Sequence, residues 1–432
     1  MAQYSEILER IYNLRGGEID LRLDRVRAAL ERFQYPQNSF PSLHIAGTNG
    51  KGSTAAILHR ILSTAGYRTA LYTSPHLVSF TERIRVGDQE IAPGEVEQLA
   101  EEIWHSTQAV GIQLTFFEFV TVLAFIHFAR QQVEIAVVEV GLGGRLDATN
   151  VITPLVSVIT TISRDHEAYL GHDLLSIAGE KGGIIKPRIP VICGALVPEV
   201  RDHLANIAVD RGALSYFLGM DFKFFLKEHS DFDYTGIKRN FEGLRIALRG
   251  MHQKRNAAVA LAALETIQGY FPVDEQTIRD GLQTVSWPGR FEVLCTNPDL
   301  VLDGAHNGEG VEALVQTLRE FGGGRQAKFV FASMADKDWR LILDTLLPLA
   351  REFVFTRVAM ERSANPEQLA RHIGDRVPTR IVPDSRAALH SVMKDAVSGD
   401  LVVVAGSLYL LGELRPVAEK IGRTKGGPTR TS

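Results

Sequence analysis

The feature that most constrains this chain is its alternation of short β-rich runs with longer helical patterns, almost from end to end. Leu43–Ala46 reads as a strand, then come glycines, then the apolar-periodic stretch Ser53–Ala65. Ile135–Val140 and Val156–Thr161 are nearly continuous apolar runs, as expected of strands buried on both faces. Leu300–Asp303, Lys328–Ala332, Glu352–Phe355 and Leu401–Ala405 repeat the theme. Strands separated by helices predict an α/β fold of mostly parallel sheets with helices on both faces. A length of 432 residues suits two or three domains. We expect a boundary at 292–299, after the turn Trp287–Arg290, which leaves 1–292 as a first domain and 299–432 as a compact second α/β domain. Tyr216–Arg249 lacks helical periodicity and is expected to add strands at the edge of the first domain. The tail from Gly422 to Ser432 is expected to be frayed, and no internal repeat is visible.

Composition excludes several classes. Lys and Arg total 47 against 51 Asp and Glu, so no basic field points to nucleic acid. The two cysteines, Cys193 and Cys295, support neither a disulfide framework nor a cysteine metal site, and a reducing cytoplasm fits them. The N-terminus has no basic segment followed by an apolar one, so no signal peptide is expected. The longest apolar stretches are Phe116–Ala129, broken by Glu118, Thr121 and His127, and Leu401–Leu411. Both fall short of the roughly 18 residues a membrane helix needs. A soluble cytoplasmic protein without membrane partners is the expectation.

The chemistry-bearing motifs sit where strands end. Ala46–Thr54 places glycines between a strand and a helix, so that backbone N–H groups and the helix N-terminus can wrap an anion, with Lys51 reaching its phosphates. The strict Walker spacing fails, because Ile45 occupies its first glycine position and Gly52 follows the lysine. Ser74 follows a strand and is either a rim hydroxyl or part of a Ser-Pro turn. Glu139 ends a buried strand, where a carboxylate needs a cation, be it a metal, an arginine or a lysine. His166 follows a third strand as a candidate ligand. Lys181 lies in a glycine-rich segment and is either an exposed lysine or a phosphate contact. Arg290 and Asp303 flank the expected boundary and could close over a nucleotide.

Taken in order, GTNGKGST, TSPHL, TERI, TFFEF, EVGLGGRLDATN, SRDH, EKGGIIK, HQKRNA, WPGRFE, LDGAHN and AGSLY resemble folylpolyglutamate synthase, often bifunctional with dihydrofolate synthase, within the Mur ligases. The resemblance runs from about residue 5 to residue 420. It implies an N-terminal P-loop ATPase domain and a C-terminal Rossmann-like domain, with ATP bound between them. ATP would be contacted by Gly50, Lys51, Gly52, Ser53, Asn256, Arg290 and Asp303. Ser74, Glu139 and His166 match magnesium ligands, and Lys181 matches a lysine carried as a carbamate that serves a second magnesium. Thr115, Phe116, Phe117 and Glu118, with Leu146, Asp147 and Ala148, match the pterin pocket. Arg83, His306 and Ser407 are implied to hold L-glutamate.

The implied reaction adds L-glutamate to dihydropteroate, to folates, or to both. The substrate carboxylate attacks the γ-phosphate, and the glutamate amine then displaces phosphate from the acyl phosphate. Lys51, Lys181 and His166 are the implied catalytic set, and a monomer is expected. A peptidoglycan-type Mur ligase usually carries a whole domain ahead of the loop, whereas 46 residues precede Gly47. A non-enzymatic P-loop switch would need no metal ligands at three strand ends. A folylpolyglutamate synthase lacking the first activity, or another amino-acid ligase of the same type, remains the alternative.

Overall fold

The computed structural model describes residues 2–14, 22–227 and 231–424. The chain divides into two compact units, one of residues up to His76, Phe80–Ala247 and Gln253–Val285, the other of Leu77–Ser79, Leu248–His252 and the chain from Ser286.

The first unit is built on an eight-stranded sheet. Its strands are β1 (Ser42–Ala46), β2 (Thr69–Tyr72), β3 (Ile84–Val86), β4 (Gln89–Glu90), β5 (Ile135–Glu139), β6 (Val156–Ile159), β7 (Val191–Cys193) and β8 (Ser215–Phe217), in the order β4-β3-β2-β5-β1-β6-β7-β8. From β2 to β8 neighbouring strands are parallel, while β3 and β4 add an antiparallel edge. Every residue of β1, β5 and β6 is buried, as their unbroken apolar runs require. The chain leaves β1 toward β2 on one side and later passes from β5 to β6 on the other. That divergence makes the carboxyl ends of the central strands a topological switch point, the place where α/β sheets commonly bind ligands.

The helix Phe116–Arg130 packs in the core, and each polar residue that interrupts its apolar run is partnered. Arg25 donates to Glu118, Tyr72 pairs with Thr121 at 3.1 Å, and His127 meets Glu95 at 2.7 Å. Among the described residues no helix is long and apolar enough to cross a membrane.

Tyr216–Arg249 does form strands, but only β8 extends the sheet edge. Phe224 and Tyr234 belong to a separate antiparallel sheet of β9 (Lys223–Leu226), β10 (Phe232–Thr235) and β11 (Asn240–Leu244). The reason is a carboxylate on the helix Met251–Ile267. Glu265 accepts from Tyr234 Oη at 2.6 Å and from the backbone N–H groups of Ile237, Lys238 and Arg239, which holds the β10–β11 turn against that helix.

The second unit has a six-stranded sheet of β12 (Glu292–Cys295), β13 (Asp299–Leu302), β14 (Ala327–Phe331), β15 (Ala350–Phe355), β16 (Thr379–Ile381) and β17 (Leu401–Ala405), ordered β12-β13-β17-β14-β15-β16. All pairs but β12–β13 are parallel. The chain passes between the units at Val285–Ser286, ahead of the 292–299 segment. The helix Leu408–Thr424 includes Gly422, Arg423 and Thr424, so the start of the expected frayed tail is ordered; residues 425–432 lie outside the described residues.

Candidate functional site

In the first unit, β2, β5, β1 and β6 end on one edge. After β1 the loop Gly47–Gly50 leads into the helix Lys51–Thr64. Gly50 caps that helix at φ +84°, a conformation that favours glycine, and a Cβ there would stand 2.5 Å from Asn256 Oδ1. A Cβ on Gly47 would stand 1.9 Å from Thr160 Oγ1. The loop is latched to the end of β6. Thr48 N–H donates to the Thr161 carbonyl at 2.8 Å, Asn49 N–H to Thr161 Oγ1 at 3.1 Å, and Thr160 Oγ1 to the Asn49 carbonyl at 2.6 Å. Lys51 Nζ folds back to donate to the carbonyls of Gly47 and Thr48, both at 3.1 Å. Gly52 and Ser53 lie in the first turn of the helix, Ser53 buried, and buried Thr54 Oγ1 has no hydrogen-bond partner among the described residues. Asn256 is buried on the helix Met251–Ile267, its Nδ2 donating to Gln253 Oε1 at 3.0 Å.

The structure brings Lys181 to the same loop. It is buried near the end of the helix Leu174–Gly182, and its Nζ donates to the Gly47 carbonyl at 3.0 Å. Burial first, then the charge of Lys51, push the Lys181 ammonium down to about 7. Glu139, buried at the end of β5, accepts from Ser74 N–H at 3.1 Å, so these two neighbouring strand ends meet. His166 lies beyond β6 at φ +53°, its ring half-exposed and 3.9 Å from Asp165. Among the described residues no three His, Cys, Asp or Glu side chains form a metal-holding group. The donors on hand are mixed, a carboxylate and a hydroxyl at adjoining strand ends, and their oxygen chemistry fits a hard divalent cation.

The residues expected at the pterin pocket divide by environment. Thr115 and Glu118 form a capping box: Thr115 N–H donates to Glu118 Oε2 at 2.7 Å and Glu118 N–H to Thr115 Oγ1 at 3.4 Å. The Thr-x-x-Glu spacing is itself the signal for that cap. Asp147 is buried, and its carboxylate accepts from the N–H groups of Gly141, Leu142 and Thr149 at 2.9–3.0 Å, which ties the loop after β5 into one piece. Burial pushes the Asp147 carboxyl up, against these bonds, which pull it down. Ala148 is buried and Leu146 half-buried on the same loop. Phe116 stacks on Tyr12 at 5.7 Å, and Phe117 lies against Gly141, where a Cβ would come within 2.3 Å of its ring. Arg83, buried at 3% exposure, donates from Nε to His76 Nδ1 at 2.8 Å. Motif reading left His76 and Gln253 without a role, although each bonds a residue it had singled out.

In the second unit, Asp303 follows β13 and accepts from Phe291 N–H at 2.8 Å and Ala305 N–H at 2.9 Å. Burial raises its carboxyl and the Arg290 charge opposes that rise. Arg290 Nη1 lies over Gly304, 2.3 Å from where a Cβ would stand. His306 Nδ1 meets the Gly304 carbonyl at 2.8 Å, and buried Ser407 accepts from Tyr409 N–H at 3.2 Å at the start of the last helix. These residues share one sheet edge because β13 and β17 are parallel neighbours.

Residues 45–264 match the Mur ligase middle domain and residues 289–408 the Mur ligase glutamate ligase domain, so the fold and the loop are those of a Mur ligase. The chain is 34% identical over 420 residues to the dihydrofolate synthase/folylpolyglutamate synthase of Escherichia coli, covering 97% of this chain and 96% of that one. Its fold matches E. coli FolC in complex with DHPP and ADP at a TM-score of 0.89, with 34% identity over 97% and 98% of the two chains. It also matches the Yersinia pestis bifunctional folylpolyglutamate synthase/dihydrofolate synthase complexed with AMPPNP and Mn, at a TM-score of 0.87 and 33% identity over 96% and 97%. The chain belongs to the dihydrofolate synthase/folylpolyglutamate synthase family of Mur ligases, as its ordered motifs implied.

Proposed function

We propose that the protein is an ATP-dependent ligase that joins L-glutamate to dihydropteroate and to the γ-carboxyl of reduced folates. The observation that carries this is the loop Gly47–Gly50, latched to β6, with two lysine ammonium groups converging on it. Relatives named for both activities, one solved with DHPP and ADP, supply the substrate class.

The acid's carboxylate oxygen attacks the γ-phosphorus and ADP departs. The glutamate amine then attacks the acyl carbon, losing a proton as phosphate leaves. Gly50, Lys51, Gly52, Ser53 and Asn256 hold the nucleotide in this reading, with Arg290 and Asp303 as the second unit's nucleotide contacts. Lys51 withdraws from its own loop carbonyls to meet negative phosphate oxygens, where charge develops during transfer. Magnesium, when bound, neutralises the phosphates and polarises the transferring group. Ser74, Glu139 and His166 would hold one ion and Lys181, as a carbamate, a second. Thr115, Phe116, Phe117 and Glu118 line the pterin pocket with Leu146, Asp147 and Ala148, and the two phenylalanine rings form its aromatic wall. Arg83, His306 and Ser407 receive glutamate. Segments 1–292 and 299–432 are assigned the ATP-binding and glutamate-ligase roles, in a cytoplasmic monomer with no nucleic-acid or membrane partner.

The test is glutamate-dependent release of phosphate from ATP with dihydropteroate and tetrahydrofolate assayed in parallel. Activity with both is expected. Activity with tetrahydrofolate alone reduces the reading to a folylpolyglutamate synthase, and activity with neither ends it.

A further inference from the structure

We infer that Thr160 is a positioning residue for ATP: its hydroxyl holds the Asn49 carbonyl toward the end of β6 and so aims the Gly50 N–H the other way, at the phosphates. The inference rests on the ligase reading above, in which the loop Gly47–Gly50 receives ATP. Thr160 directly follows β6 and is buried, and its Oγ1 donates to the Asn49 carbonyl at 2.6 Å. Two further contacts here are longer than an O–H···O bond prefers. Thr160 Oγ1 stands 3.4 Å from the Ala46 carbonyl, and Thr161 Oγ1 stands 3.3 Å from that of Asn49. The backbone makes room for the same hydroxyl at Gly47, where a Cβ would stand 1.9 Å from it.

A trans peptide is planar, and its C=O and N–H point in opposite directions. The consequence is visible at Gly47–Thr48. Its N–H is fixed to the Thr161 carbonyl at 2.8 Å, and its carbonyl, on the opposite side, receives Lys51 and Lys181. The Asn49–Gly50 peptide, also trans, is fixed by its carbonyl instead, so its N–H leaves on the side away from Thr160. Glycine makes this latch necessary. Gly50 sits at φ +84°, and a residue without a Cβ adopts the opposite φ about as readily, so nothing intrinsic stops that peptide from flipping. A flipped peptide would turn a carbonyl oxygen, in place of an N–H, toward a phosphate. The carbonyls of Gly47 and Thr48 are held by Lys51, which a phosphate draws off, whereas the Thr160 hydroxyl carries no charge for the ligand to attract.

The test is calorimetric binding of AMPPNP with magnesium to the full-length protein, alongside steady-state kinetics. Thr160→Val keeps the shape without the donor, Thr160→Ser keeps the donor, and Thr160→Ala removes both. The expected result is a Kd for AMPPNP and a KM for ATP raised roughly tenfold or more in Thr160→Val and Thr160→Ala, the size of one misdirected bond to a charged group. Thr160→Ser should stay within about threefold of the parent, and the KM for L-glutamate should hold in all three. Parent-like nucleotide affinity in Thr160→Val, or a Thr160→Ser variant as weak as Thr160→Val, overturns the inference while leaving the ligase reading intact. A loss spread equally over ATP and L-glutamate also overturns it, because a general fold defect would then be the cause. A parent that binds no AMPPNP overturns both. Thermal melts identify a variant that fails to fold. If neither hydroxyl-free variant folds, Thr160 serves the fold rather than the loop, and the inference is overturned.

Discussion

Lys51 and Lys181 donate to the same acceptor, the carbonyl oxygen of Gly47, at 3.1 and 3.0 Å. The two lysines lie 130 residues apart in sequence on different helices, and Lys181 is buried. Like charges brought together in a place of low solvation oppose one another's ionisation, a cost that an anion bound between them would offset.

Lys51→Ala should abolish ligation while leaving the melting temperature near that of the parent, because the bonds of Lys51 Nζ run to carbonyls of its own loop. A fall in kcat of about 100-fold or more is expected from the loss of a charge aimed at the transferring phosphoryl group. Near-parent turnover by the folded variant would rule out the phosphate-loop assignment.

The depressed Lys181 ammonium, down to about 7, predicts a dependence on carbon dioxide and pH. Carbamate formation consumes the neutral amine and releases a proton, so the modified fraction should rise with pH through about 7. Enzyme stripped of carbon dioxide should lose activity and regain it with bicarbonate, more fully at pH 8 than at pH 6. Lys181→Ala should be nearly inactive, with partial recovery in acetate. Indifference of the stripped enzyme to bicarbonate would exclude the carbamate.

Gly141→Ala would drive a methyl group to within 2.3 Å of the Phe117 ring. The ring must move, at a cost of about 1–3 kcal/mol in stability. Phe117→Ala and Gly141→Ala should both reduce kcat/KM for dihydropteroate more than for tetrahydrofolate, leaving the KM for ATP unchanged. Equal losses on the two acids would show one shared ring pose.

His44 on β1 sets an acid limit on the fold. Thr149 Oγ1 donates to Asp147, so it accepts from His44 Nε2–H at 2.8 Å, and buried Nδ1 has no partner among the described residues. Burial, helped by Lys186, lowers His44 to about 3 from its ordinary 6.5. Between those values the unfolded chain binds the extra proton, so stability is full above pH 6.5 and declines as pH falls toward 3. From pH 7 to pH 4 this amounts to a loss on the order of 3 kcal/mol. His44→Gln keeps a donor near Thr149 without titrating and should flatten the acid limb of a urea-unfolding series. An unchanged limb would place the acid sensitivity elsewhere.

Local spacing was enough for some of this. Apolar runs such as Val156–Ile159 announce strands buried on both faces, and the glycines of Gly47–Gly50 announce the tight turn from a strand into a helix. Ordered motifs named the family, because many short residue patterns in one order along the chain are specific to it. The Thr115–Glu118 spacing also held its own answer, since a capping box closes within one turn of helix.

What the tertiary structure alone decided is which side chains meet. Arg25 and Glu118 are 93 residues apart, and no spacing rule joins them. The pairing of Arg83 with His76 depends on how the loop after β2 turns back toward the helical turn Phe80–Arg83. Asp147 matches the pterin pocket by its place in a motif, whereas the three backbone N–H groups that bond its oxygens are visible only in the fold. Glu265 draws β10 and β11 away from the sheet edge by gathering their turn, a contact invisible in the run Tyr216–Arg249. Periodicity and loop chemistry are properties of neighbours along the chain, so sequence carries them directly. Burial, shared acceptors and shifted ionisation arise from groups brought together by chain crossovers, so they exist only once the sheet has closed.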